Sequence, residues 1–111
     1  MIGYGSAPMA VSVLKEALQV FGDVFMQGYG LTETIGPVTI LPAQDHVVDG
    51  PENVTRRLAS CGIERLDCHV RVVREDGTDV EPDGEEVGEI IVKGENFMQG
   101  YFRMPEQTAK T

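Results

Sequence analysis

The sequence lacks tryptophan altogether and has two cysteines, two histidines and nine basic residues among its 111. Cys61 and Cys68 are too few for a disulfide scaffold and lack zinc-ligand spacing, so they read as reduced thiols that imply no structural metal. Nine basic residues stand against eighteen acidic ones, and the resulting charge of -9 repels nucleic acid and anionic lipid. No apolar run approaches the roughly 20 residues that cross a bilayer, and Met1 opens no basic-then-apolar leader. The expectation is a soluble, cytoplasmic chain with no membrane span and no nucleic-acid partner. There is no internal repeat and no low-complexity segment. What is present, 41% hydrophobic and 24% charged residues, is enough for one domain with a core and too short for two ordinary ones.

The first nine residues place small side chains and Pro8 ahead of a helical pattern, as in a strand-to-helix turn. Ala10, Leu14, Ala17, Leu18 and Phe21 recur at helical spacing, with Lys15, Glu16 and Gln19 on the other side, and Gly22 supplies the stop. Val24, Phe25 and Met26 then read as a short buried parallel strand. Strand, helix, strand predicts an α/β unit over residues 1–34. Residues 35–67, broken by Gly36, Pro37, Pro42, Gly50 and Pro51, read as a long loop and connector, with a helical turn around Glu52 to Leu58. From Cys68 the period becomes two, with Cys68, Val70 and Val72 on one face and His69 and Arg71 on the other. Turn signals at Asp76-Gly77 and Pro82-Asp83-Gly84 lead to a second strand at Glu89 to Lys93, so residues 68–111 should be antiparallel β. The acidic cluster from Glu75 to Glu89 is the solvated face and turns of that hairpin.

Gln27 to Thr34 is the stretch richest in chemistry, because it stands at the carboxyl end of the predicted parallel strand, where open α/β sheets bind ligands. Gly28 and Gly30 allow backbone to approach a flat ring or a phosphate, and Tyr29 offers a stacking face. Thr32 can donate a hydroxyl to a phosphate oxygen, and Glu33 can ligate Mg²⁺. A plain structural alternative fits the same letters: a glycine-rich turn in which Thr32 caps a short helix and Glu33 is its first-turn acid.

Four motifs in order carry a resemblance. Gly5-Ser6-Ala7-Pro8, Gln27-Gly28-Tyr29-Gly30-Leu31-Thr32-Glu33-Thr34, Gly88-Glu89-Ile90-Ile91-Val92-Lys93-Gly94, and Gly100-Tyr101 with Pro105 to Ala109 together resemble the adenylate-forming superfamily of acyl-CoA synthetases, luciferases and peptide-synthetase adenylation domains. The resemblance spans essentially the whole chain. It implies the end of a doubly wound α/β subdomain followed by an antiparallel β-barrel-like subdomain. It also implies an AMP-forming acid-thiol ligase: a carboxylate attacks the α-phosphate of Mg-ATP, and a thiol, usually that of coenzyme A, takes the acyl group from the adenylate. Such a site works by positioning two anions and neutralising charge on the phosphate oxygens. By similarity, Thr32 contacts the α-phosphate and Glu33 holds Mg²⁺, and these two are the catalytic candidates. Gln27, Gly28 and Tyr29 with Ser6, Ala7 and Pro8 form the nucleotide-binding set, and Gly5, Gly30 and Leu31 lie near the acyl group. Ser6 departs from the usual Gly-Gly-Ala-Pro.

Leu31 and Thr32 favour the acyl-CoA synthetase branch, since peptide-synthetase domains usually carry Pro at the first place and fatty acyl-AMP ligases often carry Ala at the second. The tail from Gly94 to Thr111 resembles medium- and long-chain fatty acid members. The superfamily's phosphate loop with its Lys, its Thr-Gly-Asp motif and its mobile C-terminal domain are not among these residues, which makes the chain resemble an internal piece of a longer enzyme. That implies no turnover by the isolated chain, association through exposed faces, and partial disorder across 35–60. The competing readings are a stand-alone, non-catalytic adenylate-binding or interaction module, and another adenylating branch such as a peptide-synthetase domain.

The other polar candidates read as structural. His46 and His69 have no partner at catalytic spacing, and Asn53-Val54-Thr55 is a frequent triplet. Arg56 and Arg57 could reach a phosphate only from the loop. Asp83, Glu85 and Glu86 are a solvated charge run, and Tyr101 and Phe102 are expected to pack beneath the β subdomain.

Overall fold

A computed structural model describes residues 1–111. Strand β1 (Ile2–Gly5) leads into helix α1 (Val11–Phe21), and β2 (Phe25–Gly30) returns parallel to β1, with Tyr4 opposite Gln27 and Gly5 opposite Gly28. Helix α1 has no side-chain cap and no charge complementing its ends, so its stability rests on packing rather than on its termini. Leu14 and Leu18 supply that packing, joining Phe25 and Leu58 in the main core cluster. The left-handed Gly22 closes the helix by donating its N–H to Leu18 O.

Two features differ from the sequence expectation. Strand β2 does not turn after Gln27 but continues through Gly30, so Gly28, Tyr29 and Gly30 are strand residues. Residues 35–67, expected as loop and connector, carry β3 (Pro37–Leu41), antiparallel to β2, and the short β4 (Ile63–Glu64), completing a sheet of order β1-β2-β3-β4. Val38, Thr39 and Leu41 are buried there, and the Thr39 hydroxyl donates to Cys61 O at 2.6 Å. Bracketing prolines conceal this strand in the sequence; Pro37 is tolerated because it stands first in it. The expected helical turn is present as α2 (Glu52–Thr55) and a 3-10 turn over Arg56–Ala59 that carries Leu58 into the core.

Residues 68–111, expected as antiparallel β, hold a separate two-stranded antiparallel ribbon, β5 (Cys68–Val73) with β6 (Glu89–Gly94), in which His69 and Arg71 are exposed as the alternation predicts. The buried Cys68 thiol donates to Val38 O at 3.1 Å, and the Val70 N–H donates to Glu64 Oε2 at 2.8 Å, tying ribbon to sheet. Both cysteines are free thiols. The acidic cluster is used as turns: Asp76 Oδ1 accepts the Thr78 N–H, Asp83 Oδ1 accepts the Glu85 and Glu86 N–H groups, and Glu86 grips Arg74 through both oxygens. The chain ends in one helical turn, α3 (Pro105–Thr108). No helix is long and apolar enough to cross a membrane.

Candidate active site

Strand alternation divides the sequence-predicted residues between the two faces of the sheet. Phe25, Gln27 and Tyr29 follow one another on the face that receives α1, whereas Gly28 faces the other side. There an open cleft of about 710 Å³ forms between the end of β1, the end of β2 and the start of β3. Of the predicted set, Ser6, Gly28, Gly30, Leu31, Thr32 and Glu33 line this cleft, and Ile35, Gly36 and Pro37 complete it. Gly5 lines an adjoining hollow with Tyr4, Met26 and Ile40. Ala7, Pro8, Gln27 and Tyr29 line neither.

The glycine at position 5 has a cause inside the fold. A Cβ there would lie 2.2 Å from Gly28 O, so the close approach of β1 and β2 at the cleft floor requires it. Next to it, Ser6 adopts φ 64°, in the left-handed region that glycine occupies without strain and a side chain does not.

A single buried threonine shapes the turn after β2. Thr34 Oγ1 accepts the Leu31 N–H at 2.9 Å and lies 2.7 Å from Gly36 O, to which its own proton is donated. The Thr34 and Ile35 N–H groups close the turn onto Leu31 O and Thr32 O. Ile35 follows at φ 59°, an uncommon place for a β-branched residue. Strained backbone of this kind gathers at ligand sites, and here it directs the exposed Thr32 and the partly buried Glu33 to the cleft. Thr32 therefore does not cap a helix; Thr34, to which sequence reasoning gave no role, organises the turn.

Glu33 is also held from the far end of the chain. The Tyr101 hydroxyl donates to Glu33 Oε1 at 2.6 Å, and the Met98 N–H donates to Glu33 O at 2.8 Å. The hydrogen bond from Tyr101 keeps the Glu33 carboxyl below the usual carboxylate range, so it is ionised at neutral pH. Glu33 is the one charged residue lining the cleft. No group of three or more His, Cys, Asp or Glu anywhere in the chain could cage a metal. A lone ionised carboxylate beside a hydroxyl fits the way Mg²⁺ is commonly held, by one or two carboxylates with the remaining positions filled by phosphate and water.

The expectation that Tyr101 and Phe102 pack beneath the β subdomain is corrected: Tyr101 meets Glu33, and Phe102 is 85% exposed beneath the Arg103 guanidinium. No local pattern signals a contact across 68 residues of sequence. The remaining candidates are structural. His46 is buried, with Nδ1–H donated to Pro42 O at 2.9 Å and Nε2 accepting the Tyr4 hydroxyl at 3.0 Å. Arg57 pairs with Asp45, and His69 is exposed.

The fold and cleft define part of an α/β protein whose candidate site opens at the carboxyl ends of the parallel strands β1 and β2. The chain belongs to the AMP-binding enzyme family, whose model matches residues 1–102. It is 35% identical over 108 residues to the medium/long-chain-fatty-acid–CoA ligase FadD8 of Mycobacterium tuberculosis, covering 97% of this chain and 17% of that protein. It is equally 35% identical over 112 residues to 4-hydroxybutyrate–CoA ligase 2 of Metallosphaera sedula, covering 100% and 20%. Among solved structures it is similar to the amide bond synthetase McbA of Marinactinospora thermotolerans, with TM-score 0.81, 30% identity, and 97% and 20% coverage. It is also similar to the AMP complex of the o-succinylbenzoate coenzyme A synthetase of Bacillus subtilis, with TM-score 0.78, 29% identity, and 98% and 20% coverage. The chain thus spans about one fifth of the length of these relatives.

Proposed function

We propose that these residues form part of the adenylation site of an ATP-dependent acid-CoA ligase, one that activates a carboxylic acid as the acyl-adenylate and passes it to coenzyme A, the acid being fatty by the resemblance of residues 94–111 to medium- and long-chain fatty acid members. The observation that carries this reading is the Thr32-Glu33 turn, held by Thr34 at the mouth of a cleft floored by glycines. In it the Thr32 hydroxyl would donate to an α-phosphate oxygen, and the Glu33 carboxylate, held at Oε1 by Tyr101, would supply a ligand for Mg²⁺. A bound Mg²⁺ supplies charge neutralisation on the phosphates. Gln27, Gly28, Tyr29, Ser6, Ala7 and Pro8 are assigned to the nucleotide, and Gly5, Gly30 and Leu31 to the acyl end of the adenylate. Relatives named for fatty, 4-hydroxybutyrate and 2-succinylbenzoate substrates support the ligase class without selecting one acid.

The cleft brings no cation of its own to a polyphosphate, so the 111-residue chain by itself should bind ATP weakly and turn nothing over. Acyl-adenylate formed by the isolated chain overturns that statement. Exposed Val20, Phe21, Leu66 and Phe102 favour self-association at high concentration. The test of the site is AMP titrated into the chain with and without Mg²⁺, read by amide shifts. Saturable shifts confined to residues 28–33 and to Ser6 and Ala7 support the assignment. Shifts elsewhere, with these residues unmoved, refute it.

A further inference from the structure

The Gly100-Tyr101 and Pro105–Thr108 motifs have no role in the adenylation site as assigned above, yet the fold brings them to it. We propose that Tyr101 is a positioning residue: its hydroxyl holds Glu33 by one carboxylate oxygen, so that the other oxygen faces the cleft for a divalent cation. This rests on the reading of Glu33 as a cation ligand.

Three contacts set the tyrosine. Its N–H donates to Thr108 Oγ1 at 2.9 Å, and the same hydroxyl donates to Met104 O at 2.9 Å, so Thr108 locks the turn that carries the ring. Gly100 stands where a Cβ would lie 2.6 Å from Thr108 Cγ2, at φ 145°, so the lock forms only with glycine there. The third contact is the 2.6 Å bond to Glu33 Oε1, reinforced alongside by the bond from the Met98 N–H to Glu33 O. Both the backbone and the carboxylate of Glu33 are therefore held by the tail segment. A glutamate side chain has three rotatable bonds, and ordering it in advance removes an entropic cost that a cation would otherwise meet on binding. A merely structural tyrosine could pack its ring without its hydroxyl; here the hydroxyl makes the contact.

The test compares the 111-residue chain with Tyr101→Phe, which keeps the ring and removes the oxygen. In metal-free solution the two Glu33 Hγ protons, inequivalent when the carboxylate is held, should collapse toward one frequency in Tyr101→Phe while the Met98 amide stays in place. Thr108→Val should give the same collapse, and Thr108→Ser should restore the inequivalence. Unchanged Glu33 Hγ protons in Tyr101→Phe overturn the proposal. If Tyr101→Phe instead releases the tail, seen as a Met98 amide at its random-coil position, the reciprocal variant decides. In Glu33→Ala the Tyr101 Cζ resonance must move to the free-phenol value, and an unmoved resonance overturns the proposal. Mn²⁺ alone, added as a broadening probe, reports separately on the cation reading. Tyr101→Phe should need about threefold more Mn²⁺ to broaden Glu33 equally, the scale of one hydrogen bond. Wild-type Glu33 resonances that stay sharp in Mn²⁺ overturn the cation reading alone, whatever the metal-free arm gives.

Discussion

Two neighbouring positions in the first glycine motif should respond in opposite directions to a change of one small group. At Gly5 an added Cβ would stand 2.2 Å from Gly28 O, a backbone atom that cannot rotate away. To accept it, β1 and β2 must part by about 1 Å across a strand spacing near 4.8 Å, stretching the ladder bonds on either side. Overpacking of this kind costs about 1–3 kcal/mol, and at 2 kcal/mol lowers Tm by roughly 10 °C in a chain of this size. At Ser6 the situation is reversed. Its φ of 64° costs about 1–2 kcal/mol for an L side chain, and Ser6→Gly removes that cost while adding about 0.5–1 kcal/mol of unfolded-chain entropy. Since Ser6 is exposed, no buried contact is lost, and the net is a gain of up to about 1.5 kcal/mol. Ser6→Ala, which keeps the Cβ and the strain, should stay within about 0.5 kcal/mol of wild type. Urea unfolding followed by far-UV circular dichroism ranks the four chains. A Gly5→Ala midpoint equal to wild type, or a Ser6→Gly midpoint below Ser6→Ala, refutes the reasoning.

Thr34→Val removes the acceptor of the Leu31 N–H, at a cost of about 0.5–1.5 kcal/mol, and Thr34→Ser restores it; urea midpoints with the Leu31 and Glu33 amide shifts check both. Leu14 is 1% exposed, so Leu14→Ala should cost about 2–5 kcal/mol, which a chain with eleven buried residues cannot sustain. A retained cooperative transition, no worse than that of exposed Val13→Ala, contradicts the core assignment. In the ribbon, Arg74 beside Glu86, the Thr78 hydroxyl on Asp76 and the Glu85 and Glu86 N–H groups on Asp83 hold these three carboxyls below their ordinary range. Depressed folded values mean the stabilisation is whole above roughly pH 5 and is lost as pH falls below the unfolded values and through the folded ones, so thermal stability should decline with acid, and a rise from pH 5 to pH 3 contradicts the assignment.

What was legible in the sequence follows from local rules. The 3.6 period of Leu14, Leu18 and Phe21 with Gly22 behind it set α1, and the alternation from Cys68 with Asp76-Gly77 set the ribbon, because each pattern lies within one element and its turn. The motif spacing likewise led to the family that matches residues 1–102. Strand β3 was not legible, since its five residues, opened by Pro37 and followed by Pro42, become a strand only once Gln27 to Gly30 offer an edge to pair with. Within the site, sequence alone marked Ser6, Thr32 and Glu33 as chemistry. Tertiary structure decided what holds them: Gly28 O against Gly5, Thr34 beneath the turn, and Tyr101 on Glu33 across 68 residues. A sequence states which groups a chain carries and the periods of its elements. Which of those groups come within 3 Å of one another depends on how the sheet and the tail pack, and no local pattern encodes that.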